Sequence, residues 1–278
     1  MNENQIKKIT IIYKKVRIPL LNHKYTSAIL LYHGVSEKLE KNCILLDKFK
    51  EHLDYLISHY QIIKLSELIS RIQTRTIDQN CVAITFDDAY QNVFTCAYPE
   101  LVKYNVPATI FVPVNYIGSY NAWDHDPNPD EYPLLKTITD QELKLMDPGL
   151  IDFGSHSLSH SIMYNLSDQE LVNEICESRS ILENKLQREI KYFSYPYGQL
   201  TDFDMRSINY LKQYGYVAAC TTHFSRFNND RDLYTLKRIV IWDTDEITDV
   251  QSKLLGDYDW LYTKDIFVSL LSKIGFKE

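Results

Sequence analysis

Short apolar runs alternate with helix-period segments along most of the chain, and this alternation constrains the fold more than any other feature. Compact apolar runs fall at 28–32, 61–65, 81–86, 108–112, 150–153, 192–195, 216–220 and 236–241. The segments between them carry one apolar face. Asp47 precedes Phe49, Leu53, Leu56 and Ile57 and is placed to cap a helix of 3.6-residue period. Ser66 can cap the helix after 61–65, and Pro99 marks a break or restart in the helix after residue 88. Thr139 to Glu142 and Ser167 to Glu170 read as capping boxes, the second opening a long helix to about Gln187. Seven or eight such alternations predict parallel β/α architecture, either a closed barrel or an open doubly wound sheet. Periodicity does not choose between the two.

The 278 residues suit a single α/β barrel of roughly 250 residues, whose core needs no disulfide staples. The five cysteines (Cys43, Cys81, Cys96, Cys176, Cys220) are scattered and show no CxxC spacing. They predict neither a disulfide framework nor a cysteine zinc site, and they fit a reducing compartment. No apolar run approaches the ~18 residues of a membrane span. No secretory signal is legible either, so a cytoplasmic location is expected.

Charge is distributed unevenly. Residues 1–24 hold Lys7, Lys8, Lys14, Lys15, Arg17 and Lys24 against Glu3, a net of +5. With a formal total of −7, the remainder carries −12. The basic segment could touch a membrane surface weakly or be a solvated terminus. The acidic body argues against nucleic acid as a partner.

Chemistry-bearing residues cluster at predicted strand ends. Asp87-Asp88 follow 82–86, His156 and His160 follow 151–155, His33 follows 29–32, and Tyr195-Pro196-Tyr197-Gly198 follow 191–193. In a parallel α/β protein the carboxyl ends of the strands gather on one face, where sites are built. Taken singly, the aspartates read equally well as a strand-end turn and the histidines as surface or core residues. Taken together, two imidazoles and a carboxylate form a hydrolytic metal set. His156 and His160 are four apart, so one helical turn could present both to one ion. Asp88 would add an oxygen ligand, leaving Asp87 free as a base.

Three segments, ITFDD (84–88), SHSLSH (155–160) and FSYPYG (193–198), resemble in order the first motifs of the polysaccharide deacetylases, the NodB-homology or carbohydrate esterase family 4 enzymes. The resemblance spans residues 28–241. It implies an irregular, TIM-like (β/α)7 barrel and metal-dependent removal of an N-acetyl group from an N-acetylated carbohydrate. It further implies Asp87 as general base and Asp88, His156 and His160 as ligands of a divalent transition metal, most often Zn2+. Pro196 and the backbone at Tyr197 would help hold the oxyanion.

Two positions depart from the usual pattern. Ala89 stands where glycine is usual, and Ser194 where an arginine normally buttresses the base. A carboxy-terminal leucine–histidine motif is also missing, and His223, the last histidine, lies in a polar stretch. The permuted poly-N-acetylglucosamine deacetylase subgroup offers an account, because it begins with a strand like LLYHGV, here 30–35. By that resemblance His33 is the general acid. Arg238, within 236–239, is then a candidate to take the place of the missing arginine beside Asp87, a structural ion pair being the alternative reading.

The expected organisation is a basic segment (1–27), the barrel (28–245) and a helical tail packed on it (246–278). Deformylation, hydrolysis of another amide, and an inactive glycan-binding relative are the alternative functions. The stretch from Trp123 to Asp126 reads as a lid, a second metal patch or a solvated insertion.

Overall fold

The computed structural model describes residues 3–16, 25–123, 134–231 and 233–262. Seven parallel strands close a ring: β1 (Ser27–Tyr32), β2 (Cys81–Phe86), β3 (Ala108–Val112), β4 (Ile151–Ser155), β5 (Tyr192–Ser194), β6 (Ala218–Phe224) and β7 (Leu236–Val240). Each pairs with the next, and β7 pairs with β1. The architecture is therefore the closed (β/α)7 barrel, not the open sheet. It is irregular. The register slips between β6 and β7, and β4 meets β5 at a single pair, Ser155 opposite Phe193. A two-residue strand, Gln61–Ile62, pairs with the start of β2 below β3.

The period of two along each strand separates two cores. Outward residues such as Val82, Ile84 and Phe86 join the large cluster beneath the surrounding helices. Inward residues Ile29, Cys81, Ala83, Phe111, Tyr192, Ala218, Cys220 and Leu236 form a second cluster inside the barrel. The helix Leu65–Thr74 closes the end where the strands begin, and sends Leu65, Leu68, Ile69 and Ile72 into that cluster. Each buried side chain of this kind stabilises by roughly 1.5–3 kcal/mol. Gly154 makes room in the wall: a Cβ there would lie 2.5 Å from the Phe111 ring.

Local expectations fared unequally. Both capping boxes form, at Thr139 and Ser167. Asp47 is not a cap. The helix Leu46–His59 starts directly from the strand Cys43–Leu45, so Leu45 takes the cap position and Asp47 sits in the first turn. Ser66 is likewise inside its helix, which Lys64 precedes. The strand expected at 216–220 is shifted to Ala218–Phe224, after the turn at Gly215 (φ 79°). The long helix from Asp168 is interrupted by a π turn, Asn173–Glu177. A second π turn, Val93–Ala97, precedes the helix Tyr98–Tyr104 that Pro99 opens.

The basic segment contains a helix, Glu3–Val16. Ile6 and Thr10 are buried, Lys7 reaches Asp249 at 2.8 Å, and Trp260 donates to Thr10 at 3.0 Å. The helix Ile247–Leu255 follows β7, and Asp259 beyond it pairs with Arg226. Of the predicted lid or metal patch, Trp123 is described and residues 124–126 lie outside the described residues. No helix of the described residues is long and apolar enough to cross a membrane.

Candidate active site

The carboxyl ends of the strands gather the polar motifs. Asp87 leaves β2 with its N–H donating to Tyr32 O of β1 at 3.0 Å. The chain then turns through two left-handed residues, Asp88 (φ 67°) and Ala89 (φ 47°). Ala89 thus occupies a conformation that favours glycine and strains an L residue.

The turn aims Asp88 at two imidazoles. Its Oδ1 lies 3.4 Å from His156 Nε2 and 3.3 Å from His160 Nε2. All three donor atoms fall within 4.8 Å of one another, and all three residues are buried. Four ligands at about 2.0–2.1 Å in a tetrahedron sit roughly 3.3–3.4 Å apart. The two carboxylate–imidazole separations match that edge, so the donor set fits a small divalent ion. His156 Nδ1 lies 2.7 Å from Ser194 O, which leaves Nε2 facing the carboxylate. The path to this geometry differs from the expected helical turn. Residues 156–160 form a loop in which Ser157 (φ 64°) and His160 (φ 59°) are left-handed.

Asp87 points into a different set. Arg238 Nη1 donates to Oδ1 at 2.8 Å and Nη2 to Oδ2 at 2.6 Å, a two-pronged pair, while Ser194 Oγ donates to Oδ2 at 3.1 Å. Arg238 is fully buried and donates also to Thr221 O, Thr85 Oγ1 and Ser194 Oγ. The guanidinium therefore enters from β7, while a serine stands where β5 would ordinarily bring an arginine.

Burial pushes the Asp87 carboxyl up, but Arg238, His156 and His33 outweigh it and hold it below the ordinary carboxylate range. Burial likewise raises Asp88, yet hydrogen bonds from His156 and His160 hold it well below that range. Burial lowers His156, and the two aspartates more than reverse this. His33 is half-buried one residue beyond β1, at the same carboxyl end of the strands.

The Pro196–Tyr197 corner forms the opposite rim. Tyr197 is left-handed (φ 60°), 43% exposed, and its ring meets His160 edge-on at 5.0 Å. Thr222 fixes the corner by donating its Oγ1 to Tyr197 O at 2.8 Å. His223 lies on β6 rather than in a loop, stacked on Tyr262 at 5.2 Å.

Three further side chains support the site. Trp123 stacks on His160 at 4.7 Å. Ser194, noted only as a departure, bonds both Asp87 and Arg238. Glu174, whose position carries no sequence signal, accepts from the backbone of Leu158 and Ser159.

Residues 74–219 match the family model described as polysaccharide deacetylase. The Bacillus subtilis (strain 168) protein YxkH is 27% identical over 215 residues, covering 76% of this chain and 70% of that protein. The poly-beta-1,6-N-acetyl-D-glucosamine N-deacetylase of Staphylococcus epidermidis is 25% identical over 216 residues, covering 74% and 70%. Among solved structures, IcaB from Ammonifex degensii superposes with a TM-score of 0.69 at 19% identity, covering 84% of this chain and 96% of that one. At that identity the likeness speaks for the fold.

Proposed function

The chain belongs to the polysaccharide deacetylase family and is a carbohydrate N-deacetylase; on that premise we propose that it is a metal-dependent hydrolase of N-acetylated glucosamine polymers. The observation that carries the reading is the buried Asp88, His156 and His160 set beside a separately anchored Asp87. The mixed imidazole and carboxylate donors favour Zn2+. The name of the Staphylococcus epidermidis relative suggests a β-1,6-linked substrate.

Asp88, His156 and His160 would hold a divalent ion, which would supply Lewis acidity toward the acetyl carbonyl and would lower the pKa of a water toward ~7. Asp87 then accepts a proton from the attacking water. Arg238 holds its carboxyl below the ordinary range, so it is ionised and able to take that proton. Arg238 and Ser194 fix its orientation. The backbone at the Pro196–Tyr197 corner stabilises the developing oxyanion. His33 donates a proton to the departing nitrogen, giving acetate and a free amine.

The experiment pairs elemental analysis with acetate release from a β-1,6-linked N-acetylglucosamine oligomer. Wild type is compared with His156→Ala and Asp88→Ala. Stoichiometric metal and acetate release, both lost in the variants, are expected. A wild-type protein that releases acetate without metal would overturn the reading. Formylated oligomers in the same assay identify the acyl group.

The outward face of the helix Glu3–Val16 exposes Lys8, Ile9, Ile11 and Ile12. Apolar side chains beside lysine suit an anionic membrane surface. Salt-sensitive cosedimentation with phosphatidylglycerol vesicles, lost in Ile12→Asn, is the expected result. No cosedimentation at low salt would remove the idea.

A further inference from the structure

The two imidazoles of the candidate metal centre depend on a loop of unfavourable shape. Residues 156–160 belong to no regular element, and two of them, Ser157 and His160, adopt a left-handed backbone without being glycine. Such a conformation persists only where its surroundings over-determine it. On one side the turn Val114–Tyr116 grips the loop: Val114 N–H donates to Ser157 O at 3.1 Å and Asn115 N–H to Leu158 O at 2.9 Å. On the other side stands Glu174. Its Oε2 accepts the N–H groups of Leu158 (2.8 Å) and Ser159 (2.9 Å), and its Oε1 accepts from Ser159 Oγ at 2.5 Å.

Glu174 is only 8% exposed, and no cation pairs with it among the described residues. A buried carboxylate is costly unless its hydrogen-bonding capacity is used. Here that capacity is spent on the residues between the two histidines. The π turn Asn173–Glu177 sets the position of Glu174 in the helix, and one-turn widenings of this kind recur at functional sites. Four residues on, Ser178 Oγ meets Ser155 Oγ at 2.7 Å, so the same helix also holds the end of β4.

We propose that Glu174 is a positioning residue of the metal centre, fixing the loop shape that turns His156 and His160 toward one ion. The proposal rests on the metal-centre reading and deepens it. Partners that orient ligands typically change metal affinity by about 10–100-fold when removed.

The test measures Zn2+ affinity by competition with a chromophoric chelator, and the visible spectrum of the Co2+-loaded protein. Glu174→Ala is expected to weaken Zn2+ binding by about 10–100-fold and to alter the Co2+ bands. Glu174→Gln should recover most of the affinity, because an amide oxygen still accepts the two backbone donors. Glu170→Ala, which removes the capping box of the same helix, should leave both readouts unchanged. Wild-type affinity and an unaltered spectrum in Glu174→Ala would overturn the role. Should the alanine variant fail to fold, Glu174→Asp keeps the charge but retracts the oxygens by one methylene. A loss of about tenfold is then expected, at the low end of that range, and wild-type affinity overturns the role. A wild-type protein that binds no metal overturns the metal-centre reading itself. Wild type that binds beside variants that bind equally well overturns only the part given to Glu174.

Discussion

The two ends of the barrel are built on opposite physical terms. Where the strands begin, Leu65, Leu68, Ile69 and Ile72 seal an apolar interior. The charges around that end are neutralised locally. A cleft of about 270 Å³ there is lined by Lys64, Asp152, Arg188 and Lys191. Lys64 pairs with Asp152, Lys191 pairs with Glu189, and Arg188 bonds backbone carbonyls. Where the strands end, the interior turns polar, with Arg238, Asp87, Asp88, His156 and His160 all buried.

Backbone strain follows the same division. Among the described residues, nine that are not glycine have positive φ. Five of them (Asp88, Ala89, Ser157, His160, Tyr197) line the carboxyl rim, whereas Arg75, Asn105 and Gln187 merely end helices. One end therefore supplies stability, and the other uses some of it to hold groups where chemistry needs them.

This contrast is open to attack by mutation. The largest effect is expected at the upper end. Asp87→Asn should lower turnover about 10²–10⁴-fold while metal content stays at the wild-type level. A variant with turnover within tenfold of wild type would remove Asp87 from the acid–base role. At the lower end, Leu68→Ala should cost about 2–5 kcal/mol in denaturant unfolding and leave turnover near wild type. A large loss of turnover in folded Leu68→Ala would show that the two ends are coupled.

Outside the strand ring, on the helix Leu46–His59, His52 is buried with Nδ1 3.3 Å from Tyr32 OH. Burial, then Lys253 and Lys48, lowers its pKa to about 4. The folded state therefore holds His52 neutral, while the unfolded chain takes up a proton near pH 6.5. This contribution is fully present above pH 6.5 and is lost as pH falls through about 4. It amounts to about 3 kcal/mol. Unfolding free energies measured across that window should fall less steeply in His52→Gln, and identical slopes would refute the assignment. The smallest effect belongs to Ala89→Gly. Relief of the left-handed alanine and the extra chain entropy of glycine nearly cancel, so stability should rise by no more than about 1 kcal/mol. A clear loss of stability would mean that the Ala89 methyl packs more than it strains.

Much of this was legible in the chain before it folded. β2 and β3 were read to the residue, because six and five consecutive apolar or β-branched residues leave little else possible. The capping boxes at Thr139 and Ser167 were equally plain, since each is a local exchange of hydrogen bonds. Asp87, Asp88, His156 and His160 stood out because strand ends converge in any parallel α/β fold. The cap signals at Asp47 and Ser66 do not mark the helix starts: the strand Cys43–Leu45 runs straight into helix and leaves Leu45 in the cap position, and the other helix begins one residue before Ser66, after Lys64.

What the sequence determined by itself was the alternation of strand and helix and the identity of the polar groups at the strand ends. Periods of 2.0 and 3.6 are properties of neighbouring residues, so they can be read without knowing the fold. Tertiary structure decided the rest. It closed the ring through β7 and β1, and it brought Arg238 from 151 residues away onto Asp87. It also set Glu174 against the histidine loop and bent that loop away from a helix. These contacts join residues far apart in the chain, and burial sets their strength; nothing local marks Glu174, and Arg238 is a candidate only because Ser194 stands where an arginine is expected.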